Sequence, residues 1–371
     1  MKKNSTTSQS PKRAVARKQG PITIGMDLGD KTSHYCVLDD QGEIASEGVV
    51  STTKKAMVQK FSTMRRCRLA FEVGTHSPWL SRLLSGMGFE VIVANARQLR
   101  VISDSSRKND RMDARTLARL ARLGPDLLRP IRHRGEKAQA ALMDIRVRAN
   151  LVEARTALIN SVRGMTKSVG ERLPKCDANA MEVEKLEDLP AALRERMRPL
   201  VESVEYLTQQ IHEQDKKIEQ IARTEYPETE LLQQVTGVGT LIALTFVLTV
   251  EDRERFQKSR DVGCYVGLRP KQSDSGERRP QLRITKEGDV YLRKLLVQGA
   301  HCILSRRGPD TDLKRWGEKL AERGGKNARK RAVVAVARKL AVLLHRLWVT
   351  AEVYEPLRNS QAAARQKQTA A

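Results

Sequence analysis

The spacing of hydrophobic positions changes character along the chain. From residue 21 they fall in short apolar, β-branched runs, PITIGMDLG, SHYCVLDD and EIASEGVVS, which predict a three-strand meander with Asp40–Gln41–Gly42 as one turn. Helix-forming TKKAMVQKFSTM follows, then strand RLAFEV, helix SPWLSRLLSGMG, strand FEVIVANA and a helix opening at Asn109–Asp110. From about Asp144 to Arg223 the period is helical throughout. Leu193, Met197, Leu200, Val204, Leu207, Ile211, Gln214, Ile218 and Ile221 alternate spacings of four and three, with Gln214 the one polar member. That predicts a coiled-coil seam about 40 Å long. MDIRVRANLVEARTALINSVRGM can fold back as an antiparallel partner, and a dimerisation arm would cover the same seam; the spacing suits both.

Tyr226–Pro227 breaks this helix. Leu231 to about Ser305 predicts a second compact, mainly α domain holding TGVGTLIALTFVL, DVGCYVGLRP and KQSDSGERRPQLRITKEGDVYLRKLL. In the basic helix KNARKRAVVAVARKLAVLLHRLW, Val333, Val336, Leu340, Leu343, Leu344 and Leu347 form an apolar stripe that requires a packing surface. Residues 1–20 and 359–371 are polar, aperiodic tails expected to be disordered and mobile. The pattern therefore divides the chain at 1–20, 21–143, 144–228, 229–305, 306–358 and 359–371.

The order β-β-β-α-β-α-β-α predicts an RNase H-like α/β fold for residues 21–143, with the first and fourth strands adjacent and parallel. Asp27 and Glu72 end those strands. Asp110 and Asp113 lie three apart at a helix start, on one helical face. Four converging carboxylates suit a hard divalent ion such as Mg²⁺, which takes oxygen ligands and keeps waters, and paired ions can orient a scissile phosphate. Three of the acids also have a plainer reading. Asp110 can be an N-cap with Asp113 at N3, and Asp27 can serve the turn before Gly29. Glu72, between Phe71 and Val73, needs a partner in any reading.

Charge narrows the partners. The 371 residues carry 68 Lys and Arg against 44 Asp and Glu, a formal net charge of +24. Such a surplus repels itself unless a polyanion is bound, and nucleic acid binding should weaken steeply with salt. Between Arg97 and Arg148 there are 14 basic and 6 acidic residues, so the excess surrounds the paired aspartates. No apolar run approaches the roughly 20 residues of a membrane span, and the N-terminus lacks a secretory h-region. Five widely spaced cysteines without CxxC read as reduced thiols, and a cytoplasmic location is expected. Aromatics are only 4% of the chain, so backbone charge should outweigh base stacking.

Ser275 lies in SDSGERR, ordinarily a turn sequence. A serine nucleophile needs activation by a base, metal or cations, and Arg278, Arg279, Arg283 and Lys286 are close in sequence. With Arg107, Lys108, Arg111 and Arg293 they make up the candidate phosphate contacts. TGVGT is similar to helix-hairpin-helix turns that offer backbone N–H groups to phosphates. His34 and His76 read as structural.

GMDLG, AFEVG, KNDRMDA and GLRPKQSDSG…RITKEGDVYLRKLL together resemble the DEDD transposases of the insertion sequence 110 family, including Piv-like DNA invertases, from about Ile22 to Ser305. The resemblance implies a RuvC-like domain, a coiled-coil insertion and a C-terminal transposase domain. It places the acidic tetrad on Asp27, Glu72, Asp110 and Asp113, and the nucleophile on Ser275, which would form a 5′-phosphoserine link to DNA. It also implies Mg²⁺, donor and target DNA, a structured guide RNA encoded by the element, and dimers joining into a synaptic tetramer. Asn is common in this family where Asp289 stands. The competing readings are a RuvC-like nuclease or junction resolvase using water, an actin-like ATPase suggested by GMDLGDKTS but lacking a second phosphate loop, and a non-enzymatic nucleic-acid scaffold.

Overall fold

The computed structural model describes residues 22–95, 109–276, 278, 280 and 282–361. The 1–20 tail and three candidate phosphate contacts, Arg107, Lys108 and Arg279, lie outside the described residues. The chain forms two compact units, divided between Arg134 and Gly135.

The first unit is mixed α/β and compatible with the RNase H-like expectation. Strands β1 (Thr23–Leu28), β2 (Thr32–Leu38), β3 (Ile44–Ser51), β4 (Arg68–Glu72) and β5 (Glu90–Ala94) form one sheet in the order β3-β2-β1-β4-β5. β1 pairs antiparallel with β2 and parallel with β4. Helices α1 (Lys54–Phe61), α2 (Ser77–Gly86) and α3 (Asp110–Leu123) belong to the same unit.

Alternation along the strands assigns the two faces. Ile24, Met26, Leu69 and Phe71 pack with Met57, Phe61, Leu80 and Leu84 of α1 and α2. The opposite face presents small residues, Gly25, Cys36 and Ala70, to Ala114, Leu117, Ala118 and Ala121 of α3. A Cβ on Gly25 would lie 2.1 Å from the Ala114 carbonyl oxygen and 2.3 Å from the Ala118 nitrogen. Glycine at this position is what lets α3 settle directly onto β1.

The second unit begins with two long helices, α4 (Glu136–Ser168) and α5 (Ala191–Glu225). They run antiparallel, as their cross-links show: Lys217 reaches Asp144 at 2.6 Å, Arg148 pairs with Asp215, and Arg155 donates to Thr208 at 3.2 Å. The helical hairpin within one chain is therefore the arrangement present. Its buried stripe on α5 is Met197, Val201, Val204, Thr208, Ile211, Ile218 and Ala222. Leu200, Leu207, Gln214 and Ile221 of the expected seam are only half-buried, because the contact line runs one residue to their side.

Short helices α6 (Thr229–Gln233), α7 (Thr240–Val250) and α8 (Val262–Tyr265) lead to α9 (Val290–Ile303), α10 (Asp312–Glu322) and α11 (Ala328–Thr350). Every residue of α7 from Ile242 to Val250 is buried. Leu244 and Leu248 face Ile145 and Ile218 of the long helices, while Phe246 and Val247 join Leu292, Leu296, Val336 and Leu340. A helix apolar on all sides belongs at the centre of a core, and this one lies between the long hairpin and α9–α11. The stripe of α11 thus shares one core with residues 229–305.

In the TGVGT turn Gly237 has φ +81°, and an added Cβ would sit 2.7 Å from the Gly299 carbonyl oxygen of α9, so glycine is required for this close approach. The C-terminal tail is not loose at its start, since the Asn359 and Ser360 amides donate to the Asp312 carboxylate at 2.7 and 3.3 Å. Among the described residues no helix is long and apolar enough to cross a membrane.

Candidate active site

Met26 of β1 lies opposite Phe71 of β4, and the next residue on each strand is an acid, Asp27 and Glu72. Both have the parity of Gly25 and Ala70, so both belong to the face covered by α3. His34 lies opposite Asp27 across the β1–β2 pair and shares the parity of Cys36, which places it on that face as well. Helix α3 starts beside this strand end. Its N-cap is Asn109, whose side-chain oxygen accepts from the Arg111 amide at 3.0 Å. Asp110 is therefore not needed as the cap, and Asp110 and Asp113 both fall in the first turn. Carboxylates there are favoured by the helix dipole.

The electrostatics agree with one shared site. The Asp27 carboxyl is raised above its ordinary value, by burial first and then by the negative charges of Asp110 and Asp113, with His34 opposing. His34 Nε2 is 3.8 Å from Asp110 Oδ2. Among the described residues, however, no three acid, histidine or cysteine side chains converge closely enough to hold a metal ion. In donor chemistry the set fits Mg²⁺: its ligands are hard oxygens, and Asp27, Asp110 and Asp113 repel one another as a divalent cation would relieve, while Glu72 shares their face by strand parity alone. The side chains do not close on a single point.

Ser275 lies at the tip of a hairpin in the second unit. Lys271 N donates to Arg283 O at 2.9 Å and Thr285 N to Arg269 O at 2.9 Å, forming the stem. At the tip, Ser275 and Arg278 exchange backbone hydrogen bonds of 3.2 and 3.0 Å around Gly276, which has φ +55°. Ser275 is exposed there, and so is Arg278. The hairpin root is held by two glycines with positive φ. A Cβ on Gly267 would meet the Glu287 carbonyl oxygen at 2.1 Å, and one on Gly288 the Tyr265 carbonyl oxygen at 2.0 Å. Asp289 then caps α9, accepting from the Leu292 amide at 2.8 Å, which an asparagine would also do.

Two candidate phosphate contacts have other work. Arg293, expected from its charge to face nucleic acid, is only 9% exposed. Its Nη1 donates to the Val266 and Glu287 carbonyls at 3.1 and 2.8 Å, so it braces the hairpin root. Its place on the inner side of α9 sets this, and charge counting does not show it. Arg111 is clamped by Glu47 of β3, at 2.6 Å from Nη2, though it remains more than half exposed. Glu47 also binds Arg115, and these two arginines, Arg115 foremost, hold its carboxyl down at about 2. Arg283 and Lys286 are exposed on the hairpin stem.

The sequence pattern leaves His34 as structural and gives no sign of Glu47 or Arg146. The place of His34 beside Asp27 can be found by counting residues symmetrically about the Asp30–Lys31 turn. Glu47 and Arg146, the latter 2.6 Å from Asp289, have no local signal because their partners are far away in sequence.

Two family models match the chain in order. A DEDD transposase model covers residues 24–170, and the model described as "Transposase IS116/IS110/IS902 family" covers 229–315. Over 347 residues the chain is 29% identical to the transposase for insertion sequence element IS1111A of Coxiella burnetii, covering 89% of this chain and 90% of that protein. It is 27% identical to a probable family 20 transposase of Pseudomonas aeruginosa, covering 90% and 98%. It is also 27% identical to the transposase of IS1328 from Yersinia enterocolitica, covering 76% and 84%.

Proposed function

The chain belongs to the IS110 family of transposases, and from that premise we propose that it cuts and rejoins DNA with Ser275 as nucleophile and Asp27, Glu72, Asp110 and Asp113 as the acids of the site. The observation that carries this reading is the placement of all four acids at one end of the β1–β4 pair and the adjoining first turn of α3. These acids would hold Mg²⁺, which when bound supplies positive charge to the phosphate oxygens of the reacting strand.

Ser275 Oγ bonds to phosphorus and the bond to the 3′ oxygen breaks. The serine proton leaves to solvent, and the released 3′ oxygen ends as a hydroxyl. The phosphate stays on serine as a 5′-phosphoserine, and attack by the 3′-hydroxyl of an incoming strand reverses the chemistry. The exposed hairpin tip suits Ser275 to this role, since a phosphodiester can approach its hydroxyl without displacing packed core. Arg278, paired with Ser275 through the backbone, would hold the phosphate charge.

Donor and target DNA are the substrates in this reading, with a structured guide RNA encoded by the element as a further partner; the +24 charge is compatible with both. Homodimers pairing into a tetramer would let one copy's acids act beside another copy's serine.

Strand exchange on a plasmid carrying the element's ends tests the proposal. Asp27→Asn and Asp113→Asn should each lower exchange by at least about 100-fold while the purified proteins remain folded. Exchange unchanged in both variants would refute the role of the acids.

A further inference from the structure

The second unit has a groove of about 990 Å³ lined by neither Ser275 nor the acids. One wall is the stem of the serine hairpin, and the other is α11 with the adjoining face of α10. Its floor is apolar, with Leu268, Ile284, Trp316 and Val342 among its residues. Eight of the 19 lining residues are Lys or Arg and none is acidic. Arg283 and Lys286 come from the hairpin; Lys330, Arg331, Arg338 and Lys339 come from α11.

Elsewhere in this unit basic side chains find acids, as in Arg146–Asp289, Arg148–Asp215, Arg315–Asp310 and Arg346–Glu352. Among the described residues, none of the eight in the groove is ion-paired. The first turn of α11 adds to the imbalance: it contains Arg329, Lys330 and Arg331 and no acid, at the end of a helix where the dipole disfavours cations. Lys339 Nζ stands 3.8 Å over the Trp316 ring, and burial lowers the ammonium from its ordinary value against the opposing pull of Asp312. A phosphate entering the groove would relieve all three stresses.

We infer that this groove binds single-stranded DNA, with phosphates on the α11 and hairpin cations and bases against Trp316 and the apolar floor. A duplex keeps its base faces stacked inside, so an apolar floor between basic walls gains nothing from one. Single strands bind through this combination of charge and base-contacting surface. The choice of DNA rests on the reading of Ser275 above, because one wall is the hairpin that carries it. A strand held here would be the one next to the cut phosphate.

Fluorescence anisotropy with a labelled oligodeoxythymidine and the full-length protein tests this across a salt series. Combining Lys330→Ala, Arg331→Ala and Arg338→Ala should weaken binding about tenfold or more. It should also lower the salt slope by about 2, at roughly 0.7 per phosphate contact. Trp316→Ala should weaken binding about tenfold with the slope unchanged. Duplex binding should change little in the Trp316 variant, and Ser275→Ala should bind the oligonucleotide as the wild type does. Unchanged oligonucleotide affinity in both groove variants, in proteins that melt as the wild type does, would overturn the inference and leave the serine reading standing. Equal losses for duplex and single strand in the Trp316 variant would also overturn it. So would tighter binding of oligouridine, or displacement by an acidic peptide that the oligonucleotide cannot reverse.

Discussion

Arg146, on the first long helix of the second unit, reaches the Asp289 carboxylate at 2.6 Å while that carboxylate caps the helix following the serine hairpin. Asp289 is nearly buried, with 8% of its side chain exposed, so the contact fixes α9 against α4. Asp289→Asn keeps a capping oxygen and loses the ion pair; Asp289→Ala loses both. The alanine variant should cost about 1 kcal/mol more than the asparagine variant, seen as a Tm about 2 to 4 °C lower. Equal melting of the two variants would refute the capping role.

Gly25 permits the contact that brings the first turn of α3 to the end of β1. An alanine there would put its Cβ 2.1 Å from the Ala114 oxygen, and backbone cannot step aside as a side-chain tip can. Gly25→Ala should destabilise the first unit by on the order of 3 kcal/mol and abolish strand exchange. Denaturant titration and the plasmid assay read the two effects. Normal stability together with normal exchange would mean that α3 does not depend on this contact.

Glu47 ties β3 to α3 through Arg111 and Arg115, with its carboxyl held at about 2 against an ordinary 4.5. A lowered folded-state value stabilises the protein above the unfolded value and is lost as pH falls through the folded one. Wild type should therefore exceed Glu47→Gln in stability above about pH 4.5, and the gap should shrink as pH drops toward 2. Paired denaturation midpoints across that window measure it. A gap that stays constant would contradict the ion-pair account.

Asp27 has the opposite sign. Its carboxyl is raised by burial and by Asp110 and Asp113, so the charged form is strained at neutral pH. Asp27→Asn should melt no lower than the wild type without divalent ions. Added Mg²⁺ should raise the wild-type Tm and leave the variant nearly unmoved. Equal Mg²⁺ shifts in both proteins would remove Asp27 from the metal set.

The first unit was largely legible in sequence, because its strands are short, separated by turn residues and ordered with a helix after the third. Asp27 and Glu72 were readable as strand-end acids, and the parallel β1–β4 pair followed from element order alone. The long-helix seam was legible as a period but not in its exact line, since the step of about 100° around the helix from Leu200 to Val201 depends on which way the partner helix leans. Arg293 misled because charge suggests a surface position, whereas its guanidinium serves two backbone carbonyls. Glu47, Arg115 and Arg146 depend on pairings across 60 or more residues, for which no local pattern exists.

A covalent bond between Ser275 and DNA is the event that defines the proposed reaction. Purified protein incubated with the element's junction DNA, its guide RNA and Mg²⁺ should yield a denaturation-resistant adduct, with mass spectrometry placing a 5′-phosphonucleotide on Ser275, and Ser275→Ala should yield none. Strand exchange at the wild-type rate by Ser275→Ala, or an adduct of equal yield on another residue in that variant, would contradict it.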